Sequence, residues 1–360
     1  MMNDELQTRN SSFSIHHCCI THYLLPTPNI IKAYYWPRHM QEPSPRLSTQ
    51  LDITKTSGEN LWLDRGFTWL VLGFACVTVV LLIWMTWIIF QNAQPAIEKF
   101  GLGFLWSQDW SVGDLKFGAL PYIYGTLVSS GLALLLAVPI GLAVALVTSE
   151  DFLPPWVRSP IAFLVELIAA IPSVIIGLWG IFVLIPILQP IQDWLYQYFQ
   201  WIPLFSTQSS GYSMMAAGTI LTIMILPTMA AISREVLIAL PKELRSGSMS
   251  LGATRWETIF RVLLPAGISG ILGAVILALG RALGETMAVT MVIGNSPTIS
   301  PSILELGYTI PAVLANEFGE AQDELHVGAL MYLALILFAV TLIVNIAAVL
   351  MVRLIGHKKA

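Results

Sequence analysis

Six stretches of the chain are apolar almost without interruption, and the polar residues gather between them: residues 67–90, 122–148, 161–188, 212–233, 266–293 and 327–352. Each reaches or exceeds the ~20 residues that a helix needs to cross a ~30 Å hydrocarbon layer while satisfying its own backbone. The pattern therefore predicts an all-α membrane protein with six transmembrane helices. Only Glu166 interrupts the third stretch, and only Arg281 and Glu285 interrupt the fifth. Residues 1–60 carry Ser, Thr, Pro, His and Asn without helical periodicity and read as a polar, disordered cytoplasmic tail ahead of a membrane domain at 61–360.

Composition strengthens this reading. The chain is 56% hydrophobic and 11% charged, against about 25% charged residues in soluble domains. A soluble fold cannot hide so much apolar surface. Orientation follows the placement of Lys and Arg in the short loops. Of the 18 basic residues, Lys99 and Lys116 fall in outward loops and Arg281 falls inside a span, and the rest lie in inward segments. Both ends are thus expected in the cytoplasm. Cys18 and Cys19 sit together in the tail and Cys76 within span one, a placement that predicts no structural disulfide. Cys18, Cys19, His16, His17 and His22 are poorly spaced for tetrahedral metal ligation, and no metal site is expected. The tail lacks a signal-peptide pattern, and translation starting at Met40 would leave only a short leader.

The outward loops are aromatic or acidic. Trp106 and Trp110 suit an interface where a ring keeps one wet edge, and Trp194, Tyr196, Tyr198, Phe199 and Trp201 read as an aromatic belt on a short surface helix. The last outward loop carries Glu305, Glu317, Glu320, Asp323 and Glu324 without Lys or Arg, and reads as a solvated loop that could also face a partner. Pro139 and Pro172 predict kinks, and Asn345 in span six predicts an interhelical hydrogen bond.

The most specific stretch is the cytoplasmic loop at 234–265. Gly252 is followed after nine residues by Val262, Leu263, Leu264 and Pro265, and a short helix around Glu243 to Ser250 precedes it. Glycine permits the backbone reversal that joins such a helix to the next one. This resembles the coupling loop of ABC import permeases, whose pattern is Glu-Ala-Ala, three residues, Gly, nine residues, Ile-x-Leu-Pro. Ser246, Gly247 and Ser248 stand where the family has Glu-Ala-Ala, with Glu243 one turn earlier; Ala253 follows the glycine. The resemblance implies that Glu243, Ser246, Gly247, Ser248, Gly252, Ala253 and Pro265 contact an ATPase. No Gly-Lys dipeptide occurs in the chain, so a phosphate-binding P-loop is missing.

Span five narrows the family. LALGRALGETMAVTMVIGN at 277–295, with GALPYIYGTLVSS before span two and IPSVIIGLWG in span three, is similar to the PstC type of phosphate permease over residues 61–360. Arg281 lies 16 residues beyond Pro265, or about 24 Å of helix, well inside the bilayer. An intramembrane arginine costs roughly 2.5–3.5 kcal/mol on insertion scales and normally faces a cavity or partner. A guanidinium fork also matches phosphate oxygens. Four residues on, Glu285 is expected on the same helical face, orienting Arg281 and limiting how tightly the anion is held. Glu166 reads as a packing or gating residue near the inner end of span three.

The resemblance implies a type I importer permease, multi-pass in the bacterial cytoplasmic membrane, with span one on the outside of a five-helix core. Its expected partners are a PstA-like second permease, a PstB-like ATPase dimer, an extracytoplasmic phosphate-binding protein, inorganic phosphate and membrane lipid. No cofactor is expected in this chain, because ATP and Mg would bind the ATPases; no nucleic-acid partner is expected. Three other readings stay open here: a permease for sulfate or molybdate, an ion-coupled secondary transporter using Arg281 and Glu285 as a relay, and a phosphate-sensing membrane scaffold that signals without flux.

Overall fold

The computed structural model describes residues 61–357; the tail, with Cys18, Cys19, His16, His17, His22 and Met40, lies outside the described residues, as do Lys358 and Lys359. Every regular element described is a helix, apart from one isolated bridge between Ser111 and Lys116. In chain order the α-helices are α1 (Leu61–Phe100), α2 (Leu120–Ser149), α3 (Pro155–Ala169), α4 (Ser173–Trp179), α5 (Ile185–Phe199) and α6 (Met214–Ala239). They continue with α7 (Lys242–Ser250), α8 (Arg255–Thr258), α9 (Leu264–Gly284), α10 (Met287–Ile293), α11 (Ile310–Glu317) and α12 (Glu324–His357). Six helical stretches are long and apolar enough to cross a membrane: 65–105, 120–149, 173–199, 214–239, 255–284 and 324–350.

Three boundaries differ from the hydropathy reading, each for a backbone reason. Span three begins at Ser173, not near residue 161. Pro172, which lacks an N–H and disfavours helix in the residue before it, does more than kink the chain: it separates α3 from α4 and puts Glu166 on α3, outside the span. Pro139, by contrast, stays inside an unbroken α2.

The aromatic belt forms no separate surface helix. Trp194 to Phe199 are the last turns of α5, which continues α4 through a π turn at Gly180–Leu184. That π turn ends two residues before Pro186, and a second, at Ile259–Leu263, ends two residues before Pro265. A proline ring in a regular helix collides with the carbonyl four residues back. One widened turn, closed by Ile185 N–H on Gly180 O and by Leu264 N–H on Ile259 O, lets the chain carry the proline without stopping.

The third difference is in span five. Helix α9 stops at Gly284, Glu285 is extended (φ −70°, ψ 127°), and α10 starts at Met287. Gly284 has weak helix propensity, and the Glu285 carboxylate accepts the Ala288 N–H at 3.4 Å in place of a helical carbonyl.

Helices α2, α6 and α9 form the centre, with α4 and α10 against them. Helix α6 is buried along most of its length because small residues let its neighbours approach. At Gly141 of α2 an added Cβ would lie 2.7 Å from Met229 Cγ, and at Gly270 of α9, 2.6 Å from Val236 Cγ2. A second cluster on the outer side joins Phe104, Phe117, Tyr122, Tyr308, Ile310, Val313 and Leu330. Helix α11 is part of it, so the stretch read as a solvated loop contains a buried helix. Trp110 stacks edge-on to Phe117 and Tyr122 and donates to Glu317 Oε2 at 3.0 Å, which makes it a packing residue; Trp106 stays exposed. In α1, residues 70–92 bury nothing, and Ala93 and Ala96 near its outer end are the enclosed ones among the residues whose side chains are described.

Candidate functional site

Two polar assemblies stand apart from this apolar frame. The first is an open groove of ≈ 700 Å³ along one face of α9, lined by Thr228 of α6, Gly273, Ile276, Leu277, Gly280 and Arg281 of α9, and Asn345 of α12. Arg281 is exposed on this face and donates from Nη1 to Thr228 Oγ1 at 3.2 Å. A guanidinium has five N–H donors. Among the described residues, this is the one hydrogen bond that Arg281 makes. Gly273 and Gly280 have nothing within 4 Å of where a Cβ would sit.

Glu285 does not pair with Arg281. The expected pairing assumed a continuous helix, in which residues four apart share a face; the break after Gly284 ends that register, and the Glu285 carboxylate accepts the Ala288 N–H. Glu166, exposed on α3, lines a narrow crevice with Val144, Thr148, Ala230 and Arg234. The Nε of Arg234 is buried there without a hydrogen-bond partner, and no ion pair joins it to Glu166.

The second assembly is the cytoplasmic segment between α6 and α9. Helix α7 ends in a Schellman motif: Ala253 N–H bonds to Ser248 O at 3.2 Å and Gly252 N–H to Met249 O at 3.0 Å. Gly252 has φ +88°, which an L side chain resists. Helix α8 opens on a capping box, with Thr254 Oγ1 accepting the Glu257 N–H at 3.3 Å and Glu257 Oε2 accepting the Thr254 N–H at 2.9 Å. Ser248 Oγ meets Thr258 Oγ1 at 2.9 Å and ties α7 to α8. Ser246 turns back on its own helix, donating to Lys242 O at 3.3 Å, while Glu243 and Gly247 are exposed. Pro265 follows the π turn that carries this segment into the long helix of span five. The tip projects apolar side chains, with Leu251 91% exposed and Met249 48% exposed.

Sequence reasoning passed over Arg245, the most connected side chain of the segment. It bonds to Glu150 at the end of α2 and to Leu237 O and Leu240 O at the end of α6. Thr228 was missed as well. Neither carries a motif, and the partners lie 95 and 53 positions away.

A helical core with a protruding two-helix cytoplasmic segment is the architecture of a solute-importer membrane subunit. Solved structures show the same fold: two structures of a bacterial alginate ABC transporter superpose with TM-scores of 0.53 and 0.52 at 17% and 19% identity, covering 81% and 82% of this chain and 96% and 99% of theirs. The family model described as "Binding-protein-dependent transport system inner membrane component" matches residues 137–359. Among curated relatives, the "Phosphate transport system permease protein PstC" of Mesorhizobium japonicum is 43% identical over 286 residues, covering 78% of this chain and 87% of its own. Its namesake in Haemophilus influenzae is 38% identical over 303 residues, covering 83% and 96%. The "Probable phosphate transport system permease protein PstC" of Methanocaldococcus jannaschii is 36% identical over 283 residues, covering 76% and 88%. The chain belongs to the binding-protein-dependent inner-membrane permeases and, within them, to the PstC phosphate permeases.

Proposed function

We propose that this chain forms one side of the membrane pathway of an ATP-driven importer of inorganic phosphate, and that Arg281 is the residue that meets the anion. The observation that carries the assignment of Arg281 is its setting: a cation on the face of a membrane helix, held by one hydrogen bond and open to a groove. Leaving such a charge to lipid is costly, so a partner or a passing anion must face it. Glycines at 273 and 280 leave the groove wall low, which suits the close approach of a second helix. A PstA-like permease packed there would complete the pathway.

The protruding segment receives the drive. Leu251 and Met249 at its tip are apolar knobs suited to a cleft on a PstB-like ATPase, with Gly252 shaping the reversal behind them. ATP and Mg belong to that ATPase dimer in this reading. An extracytoplasmic phosphate-binding protein delivers the substrate to the outer surface, where α11 and the acidic residues around it lie. When ATP draws the ATPases together, the two-helix segments move with them and the pathway switches from inward-facing to outward-facing.

The test is uptake of radiolabelled phosphate into liposomes carrying the purified complex with ATP enclosed. ATP-dependent uptake that excess sulfate and molybdate do not compete away, and that Arg281→Ala reduces about a hundredfold while the complex stays assembled, is expected. Uptake driven by an ion gradient without ATP, or competed by sulfate, would reject the reading.

A further inference from the structure

Helix α7 presents a mechanical problem. It contains no buried residue, so apolar packing does not hold it against the membrane core. A lever that takes a push from another protein needs a rigid attachment, and the polar contacts of Arg245 provide one.

Arg245 lies in the middle of α7, and its guanidinium reaches both helix ends beneath it. Nη2 donates to Glu150 Oε1 at 2.8 Å, and Nε donates to Oε1 at 3.1 Å and Oε2 at 3.3 Å. Nη2 also reaches Leu237 O at 2.7 Å, and Nη1 reaches Leu240 O at 3.1 Å. Glu150 caps the C-terminus of α2 and Leu240 caps that of α6. The last carbonyls of a helix have no partner within it, and a cation there is favoured by the helix dipole. One side chain of α7 therefore grips the inner ends of spans two and four together. The two side chains are only 19% and 15% exposed, and removing one partner of an enclosed pair leaves the other charge uncompensated. The planar fork sets direction as well as distance, which an ammonium cannot do. Behind it, Arg255 Nη1 donates to Asp151 O at 3.3 Å, holding the start of α8 to the same turn.

We propose that Arg245 and Glu150 are positioning residues that convert displacement of α7 into movement of α2 and α6. This rests on the reading of α7 as the ATPase contact, and it adds which spans are driven and through which atoms. Because α6 also carries Thr228, the partner of Arg281, the clasp connects the driven end of that helix to its substrate-facing stretch.

The experiment uses the complete transporter in liposomes, with Arg245→Ala, Arg245→Lys and Glu150→Gln, and measures phosphate imported per ATP hydrolysed beside the amount of ATPase subunit that co-purifies. The expected result is continued ATP hydrolysis with a normal ATPase complement. Phosphate per ATP should fall about tenfold for Arg245→Ala and about threefold for Glu150→Gln, with Arg245→Lys between them. An unchanged ratio in an assembled Arg245→Ala complex overturns the proposal. So does loss of assembly and hydrolysis in all three variants alike, since that marks a structural staple. An unmodified complex without ATP-dependent phosphate uptake overturns the functional reading itself, and the proposal with it.

Discussion

The cytoplasmic segment and the break in span five are built on opposite terms. Between α6 and α9 each turn closes on a named partner: a Schellman motif at Gly252, a capping box at Thr254 and Glu257, and the Arg245 clasp. Around Gly284 the chain leaves polar groups underused, with Arg281 on one hydrogen bond and Glu285 on a long one. The contrast teaches where this protein is complete. On the reading proposed above, the coupling segment is finished within one chain, whereas the site assigned to the anion awaits a second surface and a ligand.

The contrast predicts a ranking of effects. Arg281→Ala should reduce initial phosphate uptake about a hundredfold, as expected for lost hydrogen bonds from a charged donor. Its single hydrogen bond and its exposure mean that yield and assembly should not change; a variant that fails to assemble would place Arg281 with the structural residues. Gly252→Ala forces an L side chain into positive φ at a cost of about 1–2 kcal/mol. There is open space for the methyl group, so the damage should be conformational and confined to the loop, seen as roughly tenfold weaker ATPase binding at an unaltered melting temperature. Thr254→Ala removes a cap worth about 1 kcal/mol. Amide hydrogen exchange should rise about fivefold at the start of α8 and stay unchanged in α9. Smallest of all, Glu166→Gln should alter uptake by less than about twofold, since an exposed side chain on α3 gains little from its charge. A tenfold loss there would bring α3 into the pathway and blur the distinction between the two regions.

Much of the fold was legible because hydropathy needs only local information. All six apolar stretches correspond to membrane-crossing helices, and the two-helix segment around Gly252 stands where the glycine and Pro265 put it. The breaks were harder. Pro172 announced one, but its extent depended on whether α3 could pack on its own against α6. At Gly284 and Glu285 a single carboxylate interrupts an apolar run that continues on both sides, so a pattern scan carries one helix straight through them. Residues 310–313 are apolar but too few to span a membrane, and their burial becomes visible only when Tyr308 and Tyr122 are brought together. Arg245 was illegible for a related reason: its partner lies in another loop, and a lone arginine in a basic segment looks solvated until the loops meet.

The outer helix α11 has a consequence for how the protein is made. Its first N–H, on Ile310, bonds to Thr126 Oγ1 at 2.9 Å, a residue 184 positions earlier. Gly125 beside it comes so close to the Tyr308 carbonyl that a Cβ would not fit. At ~5–20 residues per second of synthesis, α2 waits for about 10–40 s in the membrane before its partner segment leaves the ribosome. During that interval the notch around Gly125 is unoccupied. The outer segment therefore closes this notch only late in synthesis, after five of the six membrane-crossing stretches have been made.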